Sequence, residues 1–422
     1  MGFVALPLGL KRLLHYESAW LQGDVLGGLT VAAYLIPQCM AYGELAGVRP
    51  VAGLWAILPA MLVYTLCGSS PQLSVGPEST TAVMTAAAIA PLAASQANEY
   101  ASLAALLAIL VGLIHLLGYV TRLGFLANLL SKPILIGYMA GVAVIMITGQ
   151  LGNICGLSIE TSSIFSEVSG VAAHLSQAHR PTVLLSLAVL IFLFGIQARL
   201  PKAPGPLIAV LLATCGVKLL HLDQLGVAIV GDIPAGLPQF AMPNVSAGQA
   251  FSLLSAAAGI ALVGYSDNVL TARAFASRNG YQIDANQELL ALGAANISSG
   301  LSQGFPISSS GSRTVIGNAL GSKTQLFSLV AMLSVLLVLL FLRPVLSSFP
   351  LAALGALVIY AATRLIEIDE FRKLWAFRRS EFAIALITAF GVLATDLLIG
   401  IGIAVGLSVI ELFGRITRPH DA

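Results

Sequence analysis

Apolar stretches of about 20 residues recur along the whole chain, and they restrict its possible folds more than any other feature. A helix needs about 20 consecutive apolar residues to cross the hydrocarbon core of a bilayer. Only 9% of the 422 residues are charged, and the mean hydropathy is +0.91. Soluble proteins carry about 25% charged residues. The sequence therefore predicts an all-α polytopic membrane protein.

The charged and metal-binding residue types exclude several functions. With 21 basic and 19 acidic residues the formal net charge is +2, so nucleic acid is not an expected partner. The four cysteines stand singly, and the six histidines are scattered. Neither set has the spacing of a metal site or of a Ser/His/Asp triad. We expect no enzymatic activity, no structural metal and no cofactor.

Charges, glycines and prolines divide the apolar sequence into predicted spans. Two segments, 77–93 and 309–320, follow polar lead-ins that contain Gly and Pro, and we interpret each as a half-helix entered from extended chain. Residues 1–22 are predicted to lie on the membrane surface as an amphipathic segment. Twelve full spans are predicted near 26–46, 51–67, 100–121, 133–150, 182–198, 205–220, 248–272, 284–300, 324–342, 349–366, 381–395 and 397–414.

The resulting count is fourteen elements, seven on each side of a loop at 222–246. Letting the chain alternate sides places 16 of the 21 Lys and Arg residues on one face, which the positive-inside rule identifies as cytoplasmic. Both termini are then cytoplasmic. Because seven is odd, related halves would be inverted repeats, and the interrupted element is third in each half. Matching interruptions of this kind are typical of secondary transporters.

The two interruptions indicate an anion site. In the first, Pro77 and Glu78 precede Ser79 at the start of an apolar run; in the second, a serine-rich stretch leads to Ser312 and Arg313. Helix N-termini present free N–H donors and about half a positive charge each. Two of them facing each other near the bilayer centre would bind an anion, although serines at such positions also serve helix packing.

Three ionisable residues fall inside the predicted membrane elements. Arg313 is costly to bury, so we expect it to be paired or to bind a ligand. Asp267, with Thr271 one turn later, could bind sodium, pair with Arg313 or carry a proton. Glu78 could cap its own helix or, when protonated, admit an anion that its charge would repel. We expect Glu288, near a span end, to be solvated or interfacial.

Four stretches of the sequence resemble the sulfate permease (SulP) family of anion transporters. They cover nearly the whole chain: Pro37–Tyr42 with the following Leu-Ala-Gly, GSSPQLSVGPES at 68–79, SRNGYQIDANQELLALGAANI at 277–297, and GFPISSSGSRTVIGNALGSKTQL at 304–326. The resemblance implies a 7+7 inverted repeat, shared with uracil and purine permeases, in which a core domain moves against a gate domain.

The implied domain boundaries follow from that fold. After the N-terminal segment 1–22, the core consists of 23–125 (elements 1–4) and 247–343 (elements 8–11), and the gate of 126–221 (elements 5–7) and 344–415 (elements 12–14). The loop 222–246 joins the repeats. Family members usually continue into a cytoplasmic STAS domain. Here a tail at 416–422 follows, and we expect that domain to be absent from this sequence, removed or naturally missing.

The resemblance also assigns site residues and a function. Substrate-binding positions fall at Gln38, Tyr42, Glu78, Ser79, Ser312 and Arg313. Ion-coupling positions fall at Glu78, Asp267 and Thr271, the last two as the place for a sodium ion. A family member that uses sodium and bicarbonate has Asp and Thr there but no acid at the place of Glu78, which favours protons here.

The expected function is secondary active transport of a small anion such as sulfate, bicarbonate or a dicarboxylate like fumarate. Proton-coupled symport by alternating access is favoured. Sodium-coupled symport and uncoupled exchange or channel activity remain as alternatives. The expected partners are the anion and the lipid bilayer of the cell inner membrane, with a homodimer as a further option.

Overall fold

The computed structural model describes residues 9, 12, 14–93, 97–128, 131–157, 164–201, 203–234, 236–377, 379–394 and 406. Within these residues, six helical stretches are long and apolar enough to cross a membrane. Four shorter apolar helices accompany them. The predicted span at 397–414 lies outside the described residues except for residue 406, and the predicted surface segment 1–22 is described only in part.

The first half contains two spans, a strand with a half-helix, and then the remaining helices. Its elements are α1 (Leu21–Leu45), α2 (Val51–Cys67), β1 (Val75–Gly76), α3 (Ser79–Ile89), α4 (Ala97–Val120), α5 (Lys132–Thr148), α6 (Leu151–Cys155), α7 (Ile164–Ala173), α8 (Arg180–Arg199) and α9 (Gly205–Leu219). Short 3-10 turns lie at Ser18–Trp20, Leu123–Asn128 and Leu175–Gln177.

The second half repeats that order. Its elements are α10 (Ala247–Asn279), α11 (Ala285–Leu301), β2 (Ser308–Ser309), α12 (Gly311–Ala319), α13 (Leu326–Phe341), α14 (Arg343–Ser347), α15 (Leu351–Leu365), α16 (Ile368–Phe377) and α17 (Arg379–Ala394). The helices α7 and α16 were not among the predicted elements. With Trp375 and Phe377 exposed beside charged residues, α16 has the character of a helix on the membrane surface.

Two sets of helix contacts stand out, and α1 touches both, because it packs on α2 and α13 and also on α15 and α9. The helix α4 packs along α11 and α10, and α2 packs along α11; separately, α5 packs along α17 and α15, and α8 packs on α15. Small residues permit the close approaches. A Cβ on Gly112 would stand 2.6 Å from the carbonyl oxygen of Gly293, and one on Gly53 would overlap the carbonyl oxygen of Cys39. Small residues at crossing points are the usual means by which membrane helices come together.

The two halves meet at a two-stranded antiparallel sheet. Val75 of β1 pairs with Ser309 of β2, and Gly76 pairs with Ser308. Two further bonds extend this junction: the Ser310 amide donates to the Ser74 carbonyl (2.8 Å) and the Ser74 amide to the Thr314 hydroxyl (3.0 Å). The starts of α3 and α12 are thereby brought together.

Candidate functional site

The half-helix α3 begins at a capping carboxylate. Glu78 has extended backbone angles and is partly buried. Its Oε2 accepts from the Thr80 amide (2.7 Å), and its Oε1 accepts from the Ser79 hydroxyl (2.5 Å). A carboxylate at this position satisfies a free amide and interacts favourably with the helix dipole. Of the two roles that the sequence left open for Glu78, capping is therefore present in the structure.

The half-helix α12 begins in a similar way with a serine. The hydroxyl of Ser310, its N-cap residue, accepts from the Arg313 amide at 3.5 Å and lies 3.2 Å from the Ser312 hydroxyl. Ser310 is buried, whereas Ser312 is exposed. The exposed Ser312 hydroxyl remains open to a ligand that reaches the start of α12.

The guanidinium of Arg313 lies between the two half-helices, and the residue is only 1% exposed. Its Nη1 donates to the Pro77 carbonyl (2.9 Å), and its Nε donates to the Ser74 hydroxyl (3.3 Å). Its Nη2 is buried without a hydrogen-bond partner. Among the described residues no carboxylate lies within 4.0 Å of it. A buried cation without a counterion is costly, so this arrangement suits a bound anion.

Gly76 keeps the approach to that nitrogen open. A Cβ at this position would stand 2.5 Å from the Ile57 side chain and 3.4 Å from Arg313 Nη2. Any larger residue would therefore collide with α2 and crowd the guanidinium. Gly76 thus allows the extended chain of β1 to pass close to Arg313.

Polar side chains on neighbouring helices fix the two extended lead-ins. The Asn296 amide group brackets Ile307, accepting from its N–H (2.9 Å) and donating to its carbonyl (3.1 Å). Ser299 donates to the Phe305 carbonyl. The lead-in of the first half is held by Gln325 of the second half, whose Nε2 donates to the carbonyls of Ser70 and Leu73. Backbone groups that no helix satisfies inside a membrane protein need such partners.

The helix α1 brings Gln38 and Tyr42 toward the same place. The Oε1 atom of Gln38 is buried and has no hydrogen-bond partner. Tyr42 is 7% exposed and lies close enough to Glu78, Ser79 and Arg313 to interact with them. Both side chains can therefore contribute polar atoms to a ligand held between α3 and α12.

The helix α10 places Asp267 and Thr271 beside the start of α12. Asp267 is partly buried and close enough to Glu78 for their charges to interact. The methyl group of Thr271 lies 4.0 Å from where a Cβ on Gly311 would stand. The ion pair between Asp267 and Arg313, one of the options considered from sequence, does not form. The remaining options for Asp267 are a proton and a sodium ion.

Two polar groups at the site were not predicted from sequence. Tyr138 of α5 is 2% exposed, interacts with the charge of Glu78, and has a hydroxyl without a hydrogen-bond partner. Its neighbour Met139 accepts a weak bond from the Thr80 hydroxyl at 3.5 Å. Ser309 of β2 has a buried, unpartnered hydroxyl. Its place in the second interruption marks Ser309 in the sequence, but nothing local marks Tyr138.

The expectation for Glu288 was wrong. This residue is fully buried, and its carboxylate accepts four hydrogen bonds. The donors are the Tyr64 hydroxyl (2.9 Å), the Ser69 amide (2.9 Å) and hydroxyl (2.7 Å), and the Asn268 side chain (2.7 Å). A carboxylate so well provided with donors can be buried without an ion pair. Glu288 therefore joins α11 to α2 and α10 and does not face solvent.

Comparison with known protein families identifies the family of this chain. A family model described as "Sulfate permease family" matches residues 21–388, which include every site residue named above. The chain belongs to the sulfate permease family. A probable sulfate transporter of Mycobacterium tuberculosis (strain H37Rv) is 53% identical over 414 residues, covering 98% of this chain and 74% of that protein.

More distant relatives carry related names. The chloroplastic sulfate transporter 4.1 of Arabidopsis thaliana is 32% identical and is matched over 60% of its length. Human solute carrier family 26 member 6 is 33% identical and is matched over 56% of its length. This sulfate permease family member is thus a transporter of anions and not an enzyme.

Solved structures establish the fold. Murine Slc26a9, described as an anion transporter in the inward-facing state, superposes with a TM-score of 0.91 at 24% identity, covering 98% of this chain and 72% of that one. The transmembrane domain of the cyanobacterial bicarbonate transporter BicA gives 0.78 at 25% identity, covering 94% and 98%. The predicted class, an all-α multi-pass membrane protein with a 7+7 inverted repeat, is confirmed.

Proposed function

We propose that the protein is a proton-coupled symporter of a small oxyanion, with sulfate as its first candidate substrate. The observation that carries the proposal is the buried, unpartnered Nη2 of Arg313 between two half-helix N-termini. Sulfate suits this place because its oxygens can accept from a guanidinium and from backbone amides together. The names of the mycobacterial and plant relatives support sulfate over bicarbonate or fumarate.

Anion binding would use the residues assigned from the resemblance. Arg313 Nη2 would donate to one oxygen, and the starts of α3 and α12, with the Ser312 hydroxyl, would donate to others. The Ser79 hydroxyl, which donates to Glu78 in the structure, would join them when Glu78 is protonated and releases it. Tyr42 would donate from α1. The Gln38 amide would complete the pocket on the same helix.

Charge balance favours protons as the coupling ion. With Glu78 and Asp267 ionised, these carboxylates outnumber the single guanidinium of Arg313, and a dianion entering the site would meet net repulsion. Protonation of Glu78 removes one negative charge and weakens its hold on the Thr80 amide, so that amide becomes free for the anion. Binding of anion and proton would then be coupled in free energy.

The alternative coupling ion is sodium. Asp267 and Thr271 offer two oxygen-bearing side chains on one face of α10, as a sodium site requires. The proton proposal rests on Glu78, which caps the start of α3, where the anion would dock. Sodium coupling would use Asp267 and Thr271 and would leave Glu78 as a cap.

Transport in proteoliposomes tests the proposal. We expect an inward proton gradient to accelerate labelled sulfate uptake at least about tenfold at clamped voltage, and an inward sodium gradient at constant pH to have no effect. Sodium-driven uptake without a pH effect would instead support the alternative. A panel of unlabelled bicarbonate, fumarate and chloride tests the substrate: competition stronger than that of sulfate would reassign it.

Substitution of Glu78 tests its role directly. In Glu78→Gln the side chain is permanently neutral, so uptake should lose its pH dependence while sulfate affinity stays within about threefold of wild type. Glu99→Gln is the matched control, because Glu99 accepts from Gln249 outside the site, and it should keep the wild-type pH profile. An unchanged pH profile in Glu78→Gln would assign the coupling proton to Asp267.

A further inference from the structure

A second cavity, separate from the anion site, lies beside the start of α1. Its volume is about 340 Å³. Its walls come from the segment before α1, the loop that leads into β1, the end of α10 and the loop between α12 and α13. The lining residues that matter here are Arg12, His15, Trp20, Gln72, Tyr281 and Lys323.

The cavity is positively charged. Arg12 is held in place, because its Nη1 donates to the Ser69 carbonyl (2.6 Å) and its guanidinium lies 5.9 Å from the centre of the Tyr281 ring. Lys323 is exposed. Among the described residues, neither forms an ion pair with a carboxylate within 4.0 Å, and no Asp or Glu lines the cavity.

Two neighbouring carboxylates are already committed elsewhere. Glu288, whose charge acts on Arg12, accepts four hydrogen bonds of its own. Asp24 holds the loop at Lys323. Asp24 is fully buried, and its carboxylate accepts from the amides of Lys323 (2.7 Å) and Thr324 (3.2 Å). It also accepts from the hydroxyls of Thr324 and Tyr16. With these four donors satisfied, Asp24 organises the loop before α13. The Lys323 side chain therefore remains available to an external anion.

A buried acceptor in the cavity wall indicates a second feature of the ligand, a hydrogen-bond donor. Gln72 is 2% exposed, and its Nε2 donates to Asn318 Oδ1 (3.0 Å) and to the Ser322 carbonyl (2.8 Å). Its Oε1 is buried and has no partner. An unpaired buried acceptor is unfavourable, so a ligand hydroxyl that donates to it would be favoured.

Exposed leucines lie close in sequence to the residues that line the cavity. Leu14 is 65% exposed and Leu21 is 50% exposed, which is the pattern of a membrane-embedded surface, and Trp20 stands between them in the sequence. Tryptophan concentrates at membrane interfaces, and basic clusters next to a span attract anionic headgroups. The charge bias of the sequence predicts that this face is cytoplasmic.

We propose that this cavity binds the phosphate group of an anionic phosphate ester, with Arg12 and Lys323 as cationic contacts and the Gln72 carbonyl as acceptor for a ligand hydroxyl. The ester can come from a phospholipid headgroup, which the exposed leucines favour, or from a soluble phosphate ester. A bound ligand would connect the segment before α1 with the loops at Gln72 and Lys323 and would stabilise the folded chain by mass action.

The test uses the full chain, purified in detergent and stripped of lipid. Thermal unfolding and native mass spectrometry are measured with dihexanoyl phosphatidylglycerol, dihexanoyl phosphatidylcholine, glycerol 3-phosphate and inorganic phosphate. We expect phosphatidylglycerol to bind at least about tenfold tighter than phosphatidylcholine. If glycerol 3-phosphate stabilises the protein equally well, the source is a soluble ester; if only phosphatidylglycerol does so, it is a lipid.

Variants decide whether the cavity is responsible. Lys323→Gln and Arg12→Gln should each weaken phosphatidylglycerol binding about fivefold, because a basic residue near a membrane surface contributes about 1 kcal/mol. Arg278→Gln removes an exposed cation at the end of α10 that does not line the cavity, and it should bind as wild type does. Because the Lys323 side chain is exposed, its variant will fold. Wild-type affinity in Lys323→Gln, or equal binding of both lipids without any effect of phosphate esters, would overturn the proposal.

Discussion

At the scale of single residues, the Arg313 side chain is both held in place by the protein and able to donate to a ligand. It is buried among apolar helices, and two of its three nitrogens donate to the other half of the chain, at Pro77 and Ser74. The third nitrogen has no partner. The first two contacts fix its position, and the third leaves a directed donor for a ligand.

Substitutions of Arg313 should separate charge from geometry. Arg313→Ala removes both, so sulfate binding and uptake should fall below detection. Arg313→Lys retains the charge but lacks the planar guanidinium that can bond to Pro77, Ser74 and an anion at the same time. We expect the affinity for sulfate to fall at least about tenfold. Isothermal titration with sulfate, with folding checked by size-exclusion chromatography, measures both. Wild-type affinity in Arg313→Ala would remove this residue from the site.

Tyr138 gives a second prediction at this scale. Its unpartnered hydroxyl lies near Glu78, although Tyr138 belongs to α5 and Glu78 caps α3. We therefore expect the hydroxyl to contact the anion, or the protonated Glu78, only in the conformation described. Tyr138→Phe should lower the rate of sulfate uptake several-fold with little change in stability, because no existing hydrogen bond is lost. Tyr119→Phe on α4 provides the control. Uptake kinetics identical to wild type would show that the hydroxyl has no role.

Single residues also show where sequence reasoning stops. Arg313, Glu78 and Asp267 could be predicted because charge inside an apolar run is conspicuous in the sequence itself. Glu288 and Tyr138 could not, since their environments depend on partners far away in the chain. Three of the four donors to Glu288 come from Tyr64 and Ser69, more than 200 positions earlier.

At the scale of elements, helix bounds were more predictable than contacts. The predicted spans at 51–67, 205–220 and 324–342 differ from α2, α9 and α13 by no more than two residues at either end, because hydropathy changes sharply where a helix leaves the membrane. The pairing of β1 with β2 was not predicted. A two-residue strand has no alternation from which a register can be read.

The contact between α1 and α2 gives a prediction at this scale. Gly53→Ala places a methyl group against the Cys39 carbonyl, in the helix that carries Gln38 and Tyr42, so α1 must shift. We expect a lower melting temperature and weaker sulfate binding. Gly195→Ala on α8 is the matched control, because no atom lies within 4 Å of its added methyl group, and it should be neutral or slightly stabilising. Equal stability of the two variants would contradict this packing.

At the scale of the whole molecule, the division into core and gate domains stays a prediction, with the two sets of helix contacts in its favour. One polar contact joins two helices of the predicted gate: Lys132, at the start of α5, donates to Glu370 of α16 at 2.5 Å. Bonds from Lys132 and Lys373 lower the pKa of the Glu370 carboxyl. This contact closes a loop of more than 200 residues.

Its contribution should depend on pH. Because the folded pKa of Glu370 lies below its ordinary value of 4.5, the carboxylate stabilises the fold above that pH, and the effect is lost as pH falls through the folded pKa. Glu370→Gln should lower the melting temperature by about 1–2 °C at pH 7 and by nothing at low pH, since partly exposed pairs contribute less than about 1 kcal/mol. Asp369→Asn, which loses only an exposed pair, should match wild type. A difference that persists at low pH would refute this origin.

The bonds from Arg313 to Pro77 and Ser74 have a mechanical consequence. A side chain fastened at two points to the opposite half of the protein cannot act as a swinging arm that hands an anion from one side of the membrane to the other. Its reach is fixed, and so is its distance from both half-helices. An anion held by Arg313 can therefore cross only if the whole site, with the starts of α3 and α12, becomes accessible from the other side of the membrane. The binding site would then move together with the anion.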